Sequence, residues 1–163
     1  MVSCALVAEV AAWAAEQGKS LYDLLLDIYV EFGLFQERLL SLTKKGIDGL
    51  AQINAMMKRF RSAPPQTLGG APVVLVHDYL LSETIDLISD LRYEIKLPKS
   101  NVLQFVTNDN TIVSIRPSGT EPKIKFYYGL RAELSHKEKY DLLTISIEAK
   151  QKQIEEELLA LTL

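Results

Sequence analysis

Between Ser114 and Tyr128 the chain reads SIRPSGTEPKIKFYY, and the ten positions from Arg116 to Lys125 hold an arginine, two lysines, two hydroxyls, a glycine and two prolines. An arginine fork grips two oxygens of a phosphate or carboxylate at once, whereas a lysine offers a point charge. Ser118 and Thr120 add hydroxyl donors, and Gly119 lets backbone N–H groups approach a ligand with no Cβ in the way. Pro117 and Pro122 restrict the loop before any ligand arrives. If the residues after the loop form a strand, alternation sends Ile124 and Phe126 to the core and Lys123 and Lys125 together to the other face. The set Arg116, Ser118, Gly119, Thr120 and Lys125, with Lys123 alongside, fits a tetrahedral dianion. Glu121 is the acidic exception; it can accept a sugar hydroxyl or hold a neighbouring cation. The plainer alternative is a hairpin with a solvated charged face. A Walker loop is excluded, because no G-K-[ST] follows a glycine run into a helix.

These ten residues carry a net +2 inside a chain of net charge -3, so the basic character is local. The overall charge gives no general attraction to nucleic acid or to anionic membranes. The lone Cys4 excludes an internal disulfide and a cysteine-built zinc site, fits a reducing cytoplasm, and reads as a small buried helix residue. No stretch reaches the roughly 18 uninterrupted apolar residues of a membrane span. The apolar opening MVSCALVAEVAAWAAEQ lacks a basic lead and is interrupted by Glu9, so it reads as a helix of the mature protein rather than a signal peptide.

Four further residues invite chemistry and are set aside. His77 stands beside Asp78, but no nucleophile is near in sequence, which favours a structural histidine. His136 falls in a first helical turn and reads as solvated. Tyr127 and Tyr128 raise base stacking beside a basic loop, yet alternation puts one on each face, so nucleic-acid binding is not expected.

The elements that must position the loop follow from periodicity. Ser3 to Gln17 reads as a helix with Leu6, Val10, Trp13 and Ala14 on one stripe, ended by Gly18. Ser20 and Asp23 form a capping box for a second helix, whose Leu21, Leu24, Leu25, Ile28 and Phe32 make a buried face and whose end is Gly33. Leu34 to Lys45 alternates like a strand. Gly46 to Phe60 reads as a helix with Leu50, Ile53, Met57 and Phe60 inward. Arg61 to Gly70 is a turn-rich connection, and Val73 to Val76 a buried strand. Ser82 to Ser100 is mixed in charge and shows no clear period. Strands at 102–106 and 112–115 flank Thr107-Asn108-Asp109-Asn110-Thr111, which is hairpin chemistry. A strand at 124–130 follows the loop, and Ser135 with Glu138 predicts a capping box for a long terminal helix striped by Tyr140, Leu143, Ile147, Ile154 and Leu161. The sum is an α+β domain: an antiparallel sheet with flanking helices, preceded by two helices.

The run from Arg116 to Phe126, RPSGTEPKIKF, resembles the phosphate-binding loop of the C-terminal domain of the α-D-phosphohexomutases, specifically of the phosphoglucomutase/phosphomannomutase branch. Leu97 to Leu103, LPKSNVL, resembles the family's approach to that region, and VSCALVAEVAAWAAEQGKSLYDLL is similar to the end of the family's third domain. The resemblance covers most of the chain. It implies residues 1–33 as the helical tail of the third mutase domain and 34–163 as a C-terminal phosphate-binding domain. The implied fold is TATA-binding-protein-like, with four antiparallel strands and two helices.

Family enzymes move a phosphoryl group between the 1- and 6-positions of a hexose through a bisphosphate that turns around in the site. By resemblance, Arg116, Ser118, Gly119, Thr120 and Lys125 hold the phosphate that is not being transferred, with Glu121 and Lys123 nearby. Some relatives carry arginine where Lys125 stands. The chain has no T-A-S-H-N-P-like serine loop, no D-x-D-x-D metal loop and no G-E-x-S-G-H-like sugar loop, so no catalytic residue and no metal or other cofactor is expected here. The Mg2+ and phosphoserine of the full-length parent belong to its other domains. The implied partners are hexose phosphates (glucose 1-phosphate, glucose 6-phosphate, glucose 1,6-bisphosphate or mannose equivalents) and the parent's N-terminal domains, with a hinge near Glu31 to Leu34. The alternative is a stand-alone anion- or phosphoprotein-binding module. The two differ on Ala5 to Trp13, where a piece of a larger enzyme leaves an open apolar patch and a module does not.

Overall fold

The computed structural model describes residues 2–46 and 48–162; Ile47, within one expected helix, lies outside the described residues together with Met1 and Leu163. The chain divides into two compact units, one running up to Phe35 and taking in Ala132–Ser146, the other made of Gln36–Arg131 and the chain from Ile147 on.

The first unit holds helix α1 (Val2–Glu16), helix α2 (Leu21–Phe32) and the start of the terminal helix. Gly18 ends α1 at φ +68°, and the capping box forms: the Asp23 N–H donates to Ser20 Oγ at 3.2 Å while the Ser20 N–H donates to Asp23 Oδ2 at 2.8 Å. Burial differs from expectation. Only Ala14 of α1 and Leu26 of α2 are buried, while Leu21, Leu25, Ile28 and Phe32 are exposed. Cys4 is exposed as well, because α1 is apolar around its whole circumference and nothing in this unit covers most of it. Tyr140 stacks on Tyr29 at 5.9 Å and meets Tyr22 edge-on at 6.2 Å. The expected Ser135/Glu138 capping box is absent. His136 instead heads a short 3-10 turn, Lys137–Lys139, without a side-chain cap. Lys137 is drawn into an ion pair with Asp27, and the α-helix begins at Tyr140, four residues later than the His136 start that the box predicts.

The second unit is built on an antiparallel sheet. Its strands are β1 (Leu34–Thr43), β2 (Thr67–Leu68), β3 (Ala71–Asp78), β4 (Glu83–Asp86), β5 (Arg92–Glu94), β6 (Leu103–Thr107), β7 (Ile112–Pro117) and β8 (Lys123–Ala132), and they lie in the order β1-β8-β7-β6-β3-β4-β5 with β2 paired to β3. The α+β class holds, but the expectation of four strands does not. The unreadable stretch after Ser82 supplies β4 and β5, and β2 sits inside the turn-rich connection, where Gly69 (φ +58°) and Gly70 (φ +76°) close a two-residue hairpin.

One face of the sheet is covered by helix α3 (Gly49–Ser62) and by the later turns of helix α4 (Tyr140–Ala160). Phe60 lies 6.3 Å from Phe105 and 6.0 Å from Phe126, and Ile53, Met57, Ile115, Ile124, Ile154 and Leu158 complete the core. Leu50 is 50% exposed, contrary to expectation, and Met56 is buried in its place. On α4 the stripe contains one polar member: Gln151 is buried, and its Oε1 accepts from Arg38 Nε at 2.9 Å, which offsets the cost of burying an amide.

The β6–β7 hairpin is tied to α4 through Asp109. Its Oδ1 accepts from Thr107 Oγ1 at 2.6 Å and Thr111 Oγ1 at 2.9 Å, and its Oδ2 meets Lys150. Burial raises the Asp109 pKa, but hydrogen bonds from Lys150, Thr107 and Thr111 and the Lys150 charge together outweigh it, bringing the group from 3.8 to about 2. A carboxylate with a folded-state pKa below its unfolded value stabilises the fold above the unfolded pKa, and loses that contribution as pH falls through the folded one. Urea midpoints should therefore decline between about pH 4 and about pH 2, and Asp109→Asn should flatten that decline. An equally steep acid limb in the variant would show that the tie is not a source of acid sensitivity.

Candidate functional site

The loop is positioned by register. Arg116 sits directly across from Lys125 and Pro117 from Ile124, so the β7–β8 connection springs from a closed ladder. Inside it, the Ser118 N–H donates to the Lys123 carbonyl at 2.8 Å, the Lys123 N–H to the Glu121 carbonyl at 2.7 Å, and the Glu121 N–H to Ser118 Oγ at 3.3 Å. The Lys44 N–H binds the Pro122 carbonyl at 2.9 Å and fastens the far end of the loop to the end of β1. A Cβ built on Gly119 would meet nothing within 4 Å, so packing does not demand glycine there and the space is open to a ligand.

Alternation along β8 runs as expected. Ile124, Phe126 and Tyr128 are buried, and Lys123, Lys125 and Tyr127 face the other way. Arg116, Pro117, Ser118, Gly119, Lys125 and Tyr127 line a cleft of about 220 Å³. Like charges directly opposite on neighbouring strands repel, so the Arg116–Lys125 pair is unfavourable in itself, and an anion placed between the two would relieve it. Among the described residues neither cation has an ion-pair partner, whereas Lys123 Nζ lies 3.0 Å from Glu121 Oε2. Of the seven residues the sequence marks, Arg116, Ser118, Gly119 and Lys125 meet at the cleft, while Thr120, Glu121 and Lys123 stand outside its lining. Glu121 holds a lysine in this structure.

Tyr127, which the sequence raises only as a base-stacking candidate, also lines the cleft. The signal was available, since alternation already placed one of the two tyrosines on the face of Lys125.

The other marked residues do not form sites. His77 Nδ1 lies 2.7 Å from Thr84 Oγ1, and burial pushes its pKa down. Asp78 turns away to Arg61 Nε at 2.9 Å and also accepts the Leu80 N–H at 2.9 Å. The neighbours therefore form no dyad. His136 is exposed. Among the described residues no three His, Cys, Asp or Glu side chains come together to hold a metal ion. No helix among them is long and apolar enough to cross a membrane.

Comparison with known proteins bears on the same region. Residues 44–141 match the model of a family described as phosphoglucomutase/phosphomannomutase, C-terminal domain. The chain is similar to phosphoglucomutases of Staphylococcus aureus, 46% identical over 114 residues in strain COL and 44% over 114 residues in strain MW2. Each match takes in 70% of this chain and 20% of the relative, so the chain spans about a fifth of the length of the curated relatives it matches. Among solved structures it is similar to the exocytosis-sensitive phosphoprotein pp63/parafusin, a phosphoglucomutase from Paramecium, in its open form. That match has a TM-score of 0.39 and 12% identity, and covers 81% of this chain and 23% of that one. With its match extending over more than half of its residues and including the whole loop, the chain belongs to the phosphoglucomutase/phosphomannomutase family, whose C-terminal domain it carries.

Proposed function

We propose that this chain binds the phosphate of a hexose phosphate that is not being transferred while a full-length cytoplasmic phosphohexomutase moves a phosphoryl group at the other end of the sugar. The observation that carries this reading is the convergence of Arg116, Ser118, Gly119 and Lys125 on one open cleft, with both cations free of carboxylate partners among the described residues. Charge-assisted hydrogen bonds contribute roughly 1.5 to 3 kcal/mol each. Held on a phosphate remote from the reacting centre, that energy orients the sugar and is available to the transition state. The chain's own part is binding and orientation. Among the described residues no three His, Cys, Asp or Glu side chains group to hold a metal ion for the transfer itself.

The stand-alone module is the weaker reading. Leu6, Val7, Val10 and Trp13 are exposed, Trp13 to 55%, which is the open apolar patch that the parent's further domain would cover.

An amide NMR titration of the chain with glucose 1,6-bisphosphate, with inorganic sulfate as comparison, tests the reading. Saturable shifts at Gly119 and Ser118 are expected, and Arg116→Ala should abolish them. An unresponsive loop up to millimolar ligand would overturn it.

A further inference from the structure

The cleft has a wall that no phosphate needs. Two residues beyond Lys125 on the same face of β8, and so farther from the loop, stands Tyr127, 42% exposed and one of the residues that line the cleft. Among the described residues its hydroxyl has no hydrogen-bond partner. Its cross-strand neighbour is committed: Ser114 lies opposite Tyr127, and Ser114 Oγ accepts from Gln104 Nε2 at 2.9 Å. Lys123, on the other side of Lys125, is held by Glu121. The cleft is therefore asymmetric, with two cations free of carboxylates and the Ser118 hydroxyl, whose oxygen accepts from the Glu121 N–H, at the loop end, and a phenol at the other.

The spacing matches a ligand with two chemically different ends. Alternate residues of a strand stand about 6.8 Å apart at about 3.4 Å per residue, so a phosphate between Arg116 and Lys125 leaves its ester substituent over the Tyr127 ring. A cleft of about 220 Å³ is smaller than the roughly 300–1,000 Å³ that encloses a whole small ligand, so it takes the charged group and leaves the next part of the molecule resting on its rim. An aromatic ring with a polar tip suits a substituent that has C–H groups on one face and hydroxyls at its edge. That description fits a pyranose and does not fit a second phosphate.

Resting on the phosphate reading above, we propose that Tyr127 is a positioning residue whose ring is a platform for the sugar of a phosphorylated hexose, so that the cleft prefers a sugar phosphate over a simple phosphate monoester. The backbone of β8 fixes the platform, because Phe126 and Tyr128 on either side of it are buried.

The test is a calorimetric titration of the chain with three probes: inorganic phosphate, glycerol phosphate and glucose 6-phosphate. Glycerol phosphate carries the same monoester charge without a ring. The expected result is a roughly three- to tenfold preference for glucose 6-phosphate over glycerol phosphate. Tyr127→Ala should erase the preference and leave affinity for inorganic phosphate unchanged, while Tyr127→Phe should keep it. A wild-type chain that binds the two monoesters equally, a preference that survives in Tyr127→Ala, or one lost equally in Tyr127→Phe would each overturn the platform. The inorganic phosphate arm separates the two ideas. Binding there without any sugar preference refutes the platform alone, and absence of binding to all three refutes the phosphate reading with it. Because Tyr127 lies outside the core, an unchanged amide spectrum of each variant checks that the fold is intact.

Discussion

Arg116→Ala in a full-length enzyme carrying this domain is expected to lower kcat/KM by roughly 2 to 5 kcal/mol of transition-state binding, about thirty- to several-thousand-fold. The magnitude follows from the surroundings of the side chain. Arg116 projects from the last turnward residues of β7, has no ion-pair partner among the described residues, and faces Lys125 across the ladder. Its loss removes one of the two cations that line the cleft and, on the proposed reading, the fork that would grip the phosphate. Arg116→Lys keeps the charge and loses the fork, and should fall between wild type and alanine. Thermal stability should not drop, since truncation relieves the repulsion from Lys125. An unchanged kcat/KM with an intact fold would remove the loop from any part in binding substrate.

Phe126→Ala should produce the largest loss of stability from a single truncation near the site, about 3 to 5 kcal/mol. Phe126 is fully buried and packs edge-on against Phe60 of α3 at 6.0 Å. A domain of this size has roughly 5 to 15 kcal/mol in total, so the variant should retain a small fraction of its stability. The denaturant midpoint should fall sharply with little change in slope. The same substitution loosens the strand between Lys125 and Tyr127, so residual folded protein should bind phosphate weakly. A loss below about 1 kcal/mol would show that the space collapses around the missing ring.

Most of the architecture was legible because its signals are local. Gly18, the Ser20 capping box, the alternation of β8 and the Asn-rich hairpin are each set by neighbours in sequence, and each stands where the residues put it. What failed depended on distant partners. Ser135 has the chemistry of a helix cap, but Lys137 pairing with Asp27 and Tyr140 stacking on Tyr29 set a later start. The stripe on α2 predicts a buried face, and periodicity alone does not say whether a covering surface is present in the chain. For the site, composition identified the cations and the hydroxyl. Which cation is free and which is held by Glu121 depends on loop geometry that spacing does not encode.

The two small strands that were hardest to read have a consequence for self-association. β5 ends the sheet path, and an end strand offers unpaired N–H and C=O groups to any other chain. It is three residues long, exposed throughout, and carries Arg92 and Glu94 around Tyr93, with Arg92 already paired to Glu83 at 3.0 Å. A second molecule adding a strand there would have to desolvate those charges for very few ladder bonds. The mixed charge that conceals the strand in the sequence thus opposes strand addition at this edge of the sheet.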